Sequence, residues 1–362
     1  GGAEVYTHEV ARRLARQGHE IVLATSRPQG LPREEVIDGY RVVRAGNKYT
    51  VYLWARRIYK QLRGSGWRPD VVVDEVNTIP FLAPRYVDEP VVMLIHQLCK
   101  ECWSSTIHPL VQPLGWWLEK RLHKTYIRAA RDGRLRAVVT VSQSTKQDLV
   151  GLGYPGEKIH IVHNGLDWSL YKDCTDSYDD KEDLVVYISR ITPYKRVEDL
   201  VRAWRIVEKE YRSARLVIAG RAEQKYLRRL TNLARKLGLK RVEFRTNIPA
   251  QEKKQLLARA KILAYTSTRE GWGQTVVEAA ACRTPAVAYN VPGLRDSVKH
   301  METGILVEPG NIEQLAAAIT RLLRDNKLRN RLAENAYKHA QSLNWDKAAT
   351  RFLDTIRGSL HG

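Results

Sequence analysis

Short apolar runs rich in β-branched residues alternate with helix-period stretches along almost the whole chain. Val71-Val72-Val73, Val91 to Ile95 and Ala137 to Val141 are such runs in the first half. Leu184 to Ile188, Arg215 to Ala219, Val242 to Arg245 and Ala286 to Tyr289 are their counterparts in the second. Amphipathic stretches such as Val197 to Tyr211 and Asn311 to Leu323 lie between them. A run that is apolar at every position reads as a strand buried on both faces, and an intervening helix makes parallel pairing the expected arrangement. The pattern restricts the chain to an α/β fold built from two blocks of parallel sheet. At 362 residues the length agrees with two domains. Between the blocks, Trp168 to Asp183 turns polar and acidic (Asp173, Asp176, Asp179, Asp180 and Glu182) and reads as the connection. Its aspartates lack the spacing of a calcium loop.

One strand-to-helix junction concentrates polar chemistry. Ile262 to Thr266 is β-prone, Thr275 to Ala281 is helical and alanine-rich, and Arg269-Glu270-Gly271-Trp272-Gly273-Gln274 joins them. Gly271 and Gly273 predict a tight turn that lets a ligand approach the main chain. The N–H groups of the helix start, with its dipole, then face an anion such as a phosphate. Gln274 and Glu278 are four apart and project from one helix face. A carboxylate beside an anion site does not hold the anion. It suits hydroxyl groups that donate to it, such as those of a sugar. Taken alone, the same residues also describe a turn leading into an ordinary solvated helix.

Composition narrows the class. Hydrophobic residues make up 43% and charged residues 28%, the balance of a globular protein with substantial cores. No run of about 18 apolar residues occurs, so no membrane span is expected, and no secretory leader is recognisable. Cys99, Cys102, Cys174 and Cys282 are too few for a disulfide framework, and the Cys99–Cys102 pair lacks partners for a zinc site. A reducing cytoplasm is the expected setting. The net charge of +20 points to nucleic acid, an anionic membrane surface or an anionic substrate. No nucleic-acid module is legible, so no nucleic-acid partner is expected, and an anionic membrane surface is the better reading of the charge. Trp103 to Tyr126 bears on this. Trp103, Ile107, Leu110, Val111, Leu114, Trp116 and Trp117 precede Lys120, Arg121, His123 and Lys124, as in an interfacial segment. A helix packed on its own domain fits the same residues.

The paired glutamates around Gly271-Trp272-Gly273-Gln274-Thr275 resemble the signature of the retaining glycosyltransferases of family 4. Further blocks of that family follow in order. Gly1-Gly2 and Gly18-His19-Glu20 are similar to its amino-terminal loop and helix end, and Ser142-Gln143-Ser144-Thr145 to its Thr-Val-Ser block. Ile161 to Asp167 is similar to its Pro-Asn-Gly-Val-Asp block, with His163 for the proline. Ser189-Arg190-Ile191-Thr192-Pro193-Tyr194-Lys195-Arg196 resembles its Gly-Arg-Leu…Lys-Gly block, and Thr303-Gly304-Ile305-Leu306-Val307 a later one. Ser189, Arg196 and Arg283 stand where the family favours glycine. At Arg283 a left-handed backbone would cost about 1 kcal/mol. Val291 to Asp296 is a weakened Gly-Gly…Glu block.

The resemblance implies two facing Rossmann-like domains, the GT-B architecture, with parallel sheets. Residues 1–167 would form the acceptor-side domain, 168–183 the connection, 184–340 the nucleotide-sugar domain, and 341–362 a last helix crossing back. The first strand of the family is absent before Gly1, and the chain is read as incomplete there. The implied activity is transfer of a sugar, with retained stereochemistry, from a nucleotide-sugar such as a UDP- or GDP-sugar to a glycan or lipid-linked acceptor. No cofactor or metal is implied. Arg190 and Lys195 carry over as ligands of the diphosphate, whose leaving charge two fixed cations stabilise. The loop from Gly271 through Trp272, Gly273, Gln274 and Thr275 completes that site, and Gly1 and Gly2 approach it. Glu278 takes the ribose hydroxyls, Glu270 the donor sugar, and His96 lies near the transferred sugar. A cytoplasmic protein, peripheral at the membrane face, is expected. Rival readings are a non-catalytic nucleotide-sugar binder, a sugar-nucleotide epimerase and a nucleic-acid-binding protein.

Overall fold

The computed structural model describes residues 2–77, 79–99, 112–174 and 181–361. Gly1, Trp103 to Val111, and Asp176, Asp179 and Asp180 of the acidic stretch lie outside the described residues. The chain divides into two compact units: residues 1–165 with 345–362, and residues 166–344. The second unit therefore takes in Trp168 to Cys174, and the final helix belongs to the first.

The first unit opens with α1 (Gly2–Arg16), which runs amino-terminally of β1 (Val22–Thr25), β2 (Glu34–Ile37) and β3 (Tyr40–Arg44). These strands form a sheet of order β1-β3-β2. One pairing departs from the expected parallel arrangement: β2 runs antiparallel to β3. A two-residue Asp38-Gly39 turn explains the reversal, since both residues adopt positive φ, as a tight hairpin turn requires. After α2 (Val51–Gly64), a four-stranded parallel sheet follows, of order β4-β5-β6-β7. Its strands are β4 (Val72–Val76), β5 (Val91–Ile95), β6 (Leu135–Thr140) and β7 (Ile159–Ile161). All five residues of β5 are buried, as its unbroken apolar run predicts for a strand covered on both faces. Helices α3 (Gln112–Arg131) and α4 (Gln143–Leu152) make two of the crossovers. Ser142 caps α4 by accepting from Thr145 N at 3.3 Å, and Gly153 ends it at φ 102°.

The second unit is a six-stranded sheet, every pairing parallel, of order β10-β9-β8-β11-β12-β13. Its strands are β8 (Glu182–Ile188), β9 (Arg215–Gly220), β10 (Val242–Thr246), β11 (Ala260–Tyr265), β12 (Ala286–Tyr289) and β13 (Gly304–Val307). Helices α5 (Val197–Glu210), α6 (Gln224–Lys236), α7 (Ala250–Arg259), α8 (Gln274–Ala281), α9 (Leu294–Ser297), α10 (Ile312–Arg324) and α11 (Asn326–Gln341) complete it. On α5 the buried Val197, Leu200, Val201, Trp204 and Val207 repeat at helical spacing and seal one face of the sheet. The chain winds outward from β8 through β9 to β10, then returns to the far side of β8 with β11. The strand order reverses between β8 and β11, which is where a doubly wound sheet opens a crevice at its carboxyl edge.

The last helix, α12 (Trp345–His361), packs on α1 within the first unit. Tyr6 stands edge-on to Trp345 and Phe352, at 5.8 and 6.3 Å between ring centroids. Arg13 Nε donates to Asp346 at 2.7 Å. A bond missed from sequence lies in the second unit. Cys174 and Cys282, both buried, form a disulfide, so two of the four cysteines are paired.

Candidate functional site

The two loops that leave β8 and β11 meet at the switch point, and their own polar groups join them. Thr266 Oγ1 donates to Lys195 O at 3.0 Å, while Thr268 N and Oγ1 donate to Tyr194 O at 3.0 and 3.1 Å. At their root, the Tyr265 hydroxyl donates to Ser189 Oγ at 2.9 Å. Gly220 is required here. It takes φ +146°, and a Cβ on it would stand 1.8 Å from Ser189 O. The loop after β12 closes the third side through Glu270 N, which donates to Pro292 O at 3.0 Å.

This frame brings together two of the residues singled out from sequence. The Lys195 ammonium forms an ion pair with Glu270 Oε1, and Ser267 Oγ donates to the same oxygen at 2.7 Å. Lys195 also lies over the rings of Tyr194 and Tyr265, at 4.8 and 5.5 Å from their centroids. Each aromatic face adds attraction for a cation. Burial, and next the Glu270 carboxylate, hold the Tyr265 hydroxyl well above its ordinary range, so it stays protonated. Arg190 is exposed at the rim. Its Nη2 donates to the Tyr194 hydroxyl at 2.6 Å.

Helix α8 starts from this frame. Gly273 is its N-cap at φ 82° and ψ 55°, and a Cβ there would press on Leu294 at 3.0 Å and Ser297 at 3.1 Å. Gly273 thus supplies the left-handed turn of the junction. Trp272 and Thr275 are buried, while Gly271, Gln274 and Glu278 are half-buried. Glu278 lies one turn beyond Gln274 and pairs with Lys253 of α7 rather than with Lys195 or Arg190.

Two predicted residues fall in the first unit. Gly2 begins α1 and is exposed. His96 follows β5, is buried, and receives the Tyr6 ring edge-on at 5.2 Å. Its backbone oxygen accepts from Thr145 Oγ1 at 3.0 Å, but its Nε2 has no hydrogen-bond partner among the described residues. Burial lowers the imidazole from its ordinary range to about 4, with Glu4 a weaker opposing influence. At neutral pH it is uncharged. Sequence reasoning missed Tyr194, Ser267 and Lys253. Tyr194 sits within the cation-bearing block and was legible as a candidate there. Lys253 lies in an ordinary basic helix and carries no local signal.

A doubly wound sheet with cations, carboxylates and a glycine-shaped helix start at its switch point has the arrangement at which open α/β sheets bind ligands. Residues 1–170 match the family model Glycosyltransferase Family 4, and residues 176–339 match Glycosyl transferases group 1. The chain belongs to the group 1, family 4-type glycosyltransferases. It is 26% identical over 380 residues to an uncharacterized glycosyltransferase of Methanocaldococcus jannaschii, over 99% of this chain and 94% of that protein. Sucrose-phosphate synthase from Thermosynechococcus elongatus shares the fold with a TM-score of 0.83 at 20% identity, over 99% of this chain and 93% of the other. Anabaena Alr3699/HepE in complex with UDP and glucose shares it with a TM-score of 0.74 at 20% identity, over 99% and 96%. The fold is GT-B, with a Rossmann-like sheet in each unit.

Proposed function

We propose that the protein is a retaining glycosyltransferase that moves a sugar from a nucleoside-diphosphate sugar to a glycan or lipid-linked acceptor. The observation that carries this is the meeting of Lys195 and Glu270 at the switch point, a phosphate-seeking cation beside a hydroxyl-seeking carboxylate. Lys195, Arg190 and the N–H groups of the Gly271–Thr275 turn hold the diphosphate. These cations do the work that a metal does in other phosphate-releasing sites, and none is needed. Glu270 accepts from the donor sugar, Glu278 from the ribose, and His96 offers its neutral ring to the transferred sugar. Gly2 belongs to the same set, with Gly1 before it. The bond between the anomeric carbon and the phosphate oxygen breaks, the diphosphate leaves with that oxygen, and the acceptor oxygen bonds the carbon on the same face. The acceptor's proton passes to the leaving phosphate oxygen. A UDP-sugar is the first donor to try, because a fold neighbour was solved with UDP.

The acceptor reading draws on the first unit's surface. Tyr49, Leu53 and Trp117 are exposed. Cations stand over aromatic rings at Lys48–Tyr49, Arg57–Trp54 and Arg121–Trp117, at 4.8, 4.9 and 5.1 Å. Aromatic side chains with basic neighbours favour an anionic lipid surface, so we place the protein at a membrane face. Among the described residues no helix is long and apolar enough to cross a membrane.

The test is a thermal-shift panel of UDP, GDP, TDP and ADP. A ligand at 100 times its Kd adds about 2.7 kcal/mol to stability. One nucleotide should stand out, and Lys195→Ala and Glu278→Ala should each weaken it by roughly 2–5 kcal/mol. Wild-type affinity in both variants would sink the assignment.

A further inference from the structure

Glu278 is held from two directions that the donor reading does not use. The Lys253 ammonium forms an ion pair with its carboxylate, and the hydroxyl of the buried Tyr171 hydrogen-bonds to it. Tyr171 is remote in sequence, yet a covalent bond fixes its place. Cys174, three residues on, is joined to Cys282, which caps α8 one turn beyond Glu278. Tyr171 and Glu278 therefore occupy two sides of one cross-linked corner. Burial first, and then the carboxylate, push the Tyr171 hydroxyl above its ordinary range, so at neutral pH it is protonated and donates.

An ionised carboxylate offers about four acceptor positions. Lys253 lies at Oε2, which is buried, so a vicinal diol meets the carboxylate at its other oxygen. A glutamate left to rotate would lose that freedom on binding, whereas one already fixed does not. We propose that Tyr171 and Lys253 are positioning residues that set the Glu278 carboxylate for a ribose diol and so make the site selective for ribonucleotides. This rests on the donor-site reading above.

The experiment is calorimetric titration of UDP against 2′-deoxy-UDP, and of GDP against 2′-deoxy-GDP, with wild type, Tyr171→Phe, Lys253→Met and Glu278→Ala. Tyr171→Phe keeps the ring and its packing, so it should fold with its Tm lowered only by the loss of one hydrogen bond. It should weaken the preferred ribonucleotide about tenfold, the worth of a hydrogen bond to a charged group, and weaken the deoxy form, which keeps only the 3′-hydroxyl, by less. Lys253→Met should reduce the same preference. If Glu278→Ala loses the ribose preference while Tyr171→Phe and Lys253→Met keep it, the positioning role is overturned and the donor site stands. If wild type shows no ribose preference, or Glu278→Ala keeps it, the donor-site reading fails and the inference with it.

Discussion

Lys195 and Glu270 neutralise each other at the carboxyl edge of the six-stranded sheet, with side chains only 4% and 15% exposed. Two charges so placed lose most of their hydration, and their attraction repays it only while both are present. Removing one leaves the other buried and unpaired. Lys195→Met should therefore destabilise the second unit by about 3 kcal/mol, and adding Glu270→Met should recover much of that loss. Urea denaturation of wild type, both single variants and the double variant measures the coupling, expected at about 2 kcal/mol. Simple additivity of the two single losses would remove the pair from the account of stability.

Gly293 shows how narrowly the frame around Glu270 is drawn. It takes φ +81°, and a Cβ on it would stand 2.1 Å from Glu270 O. Gly238 is the control, at φ +70° with nothing within 4 Å of the same added atom. Gly238→Ala should cost about 1 kcal/mol, the penalty of a left-handed residue alone. Gly293→Ala should cost at least about 2 kcal/mol and lower nucleotide affinity, because the Glu270 backbone must move. Equal costs in the two variants would show that the loop yields without moving Glu270.

The strands and their parallel pairing were legible because buried runs such as Val91 to Ile95 declare themselves by composition alone. The meeting of the loops after β8 and β11 was legible only through motif order, since their residues lie about 75 positions apart, as Lys195 and Glu270 do. Departures from glycine were legible as problems but not as solutions. Arg196 and Arg283 do adopt the left-handed backbone, at φ 48° and 50°. Arg196 is anchored by Nε to Asp199 Oδ2 at 2.6 Å, and Arg283 lies over the Tyr337 ring at 3.8 Å. Asp199 stands only three residues from Arg196, whereas Tyr337 reaches Arg283 through tertiary packing, which no local pattern encodes. The same holds for Tyr171 and Lys253 on Glu278, and for the pairing of Cys174 with Cys282.

That disulfide closes a separation of 108 residues. Cross-linking so long a loop removes conformational freedom from the unfolded chain, and native bridges are worth roughly 2–4 kcal/mol. Reductant should lower the stability of the wild-type second unit by this amount and leave a Cys174→Ala/Cys282→Ala variant unaffected. Denaturation with and without dithiothreitol makes the comparison. A wild type indifferent to reductant would show that packing around the two sulfurs, not the bond, carries the corner.

His96 makes stability depend on pH in a direction that follows from its burial. Its folded value is lowered to about 4 from 6.5, so the unfolded chain takes up the proton first as pH falls. The contribution is whole above about 6.5 and is lost as pH falls through 4, amounting to about 2 kcal/mol by pH 5. His123, also lowered to about 4 by burial, acts in the same sense. Glu75 opposes them: burial raises it to about 7, so its contribution is present below 4.5 and lost as pH rises through 7. Wild type alone cannot separate these groups, but a difference can. His96→Asn should lose about 2 kcal/mol less than wild type between pH 8 and pH 5, measured by urea denaturation of the first unit. Parallel losses in the two proteins would mean that His96 reaches solvent in the native state and titrates near its ordinary value. Its neutral ring would then be unavailable to the transferred sugar in mildly acid solution.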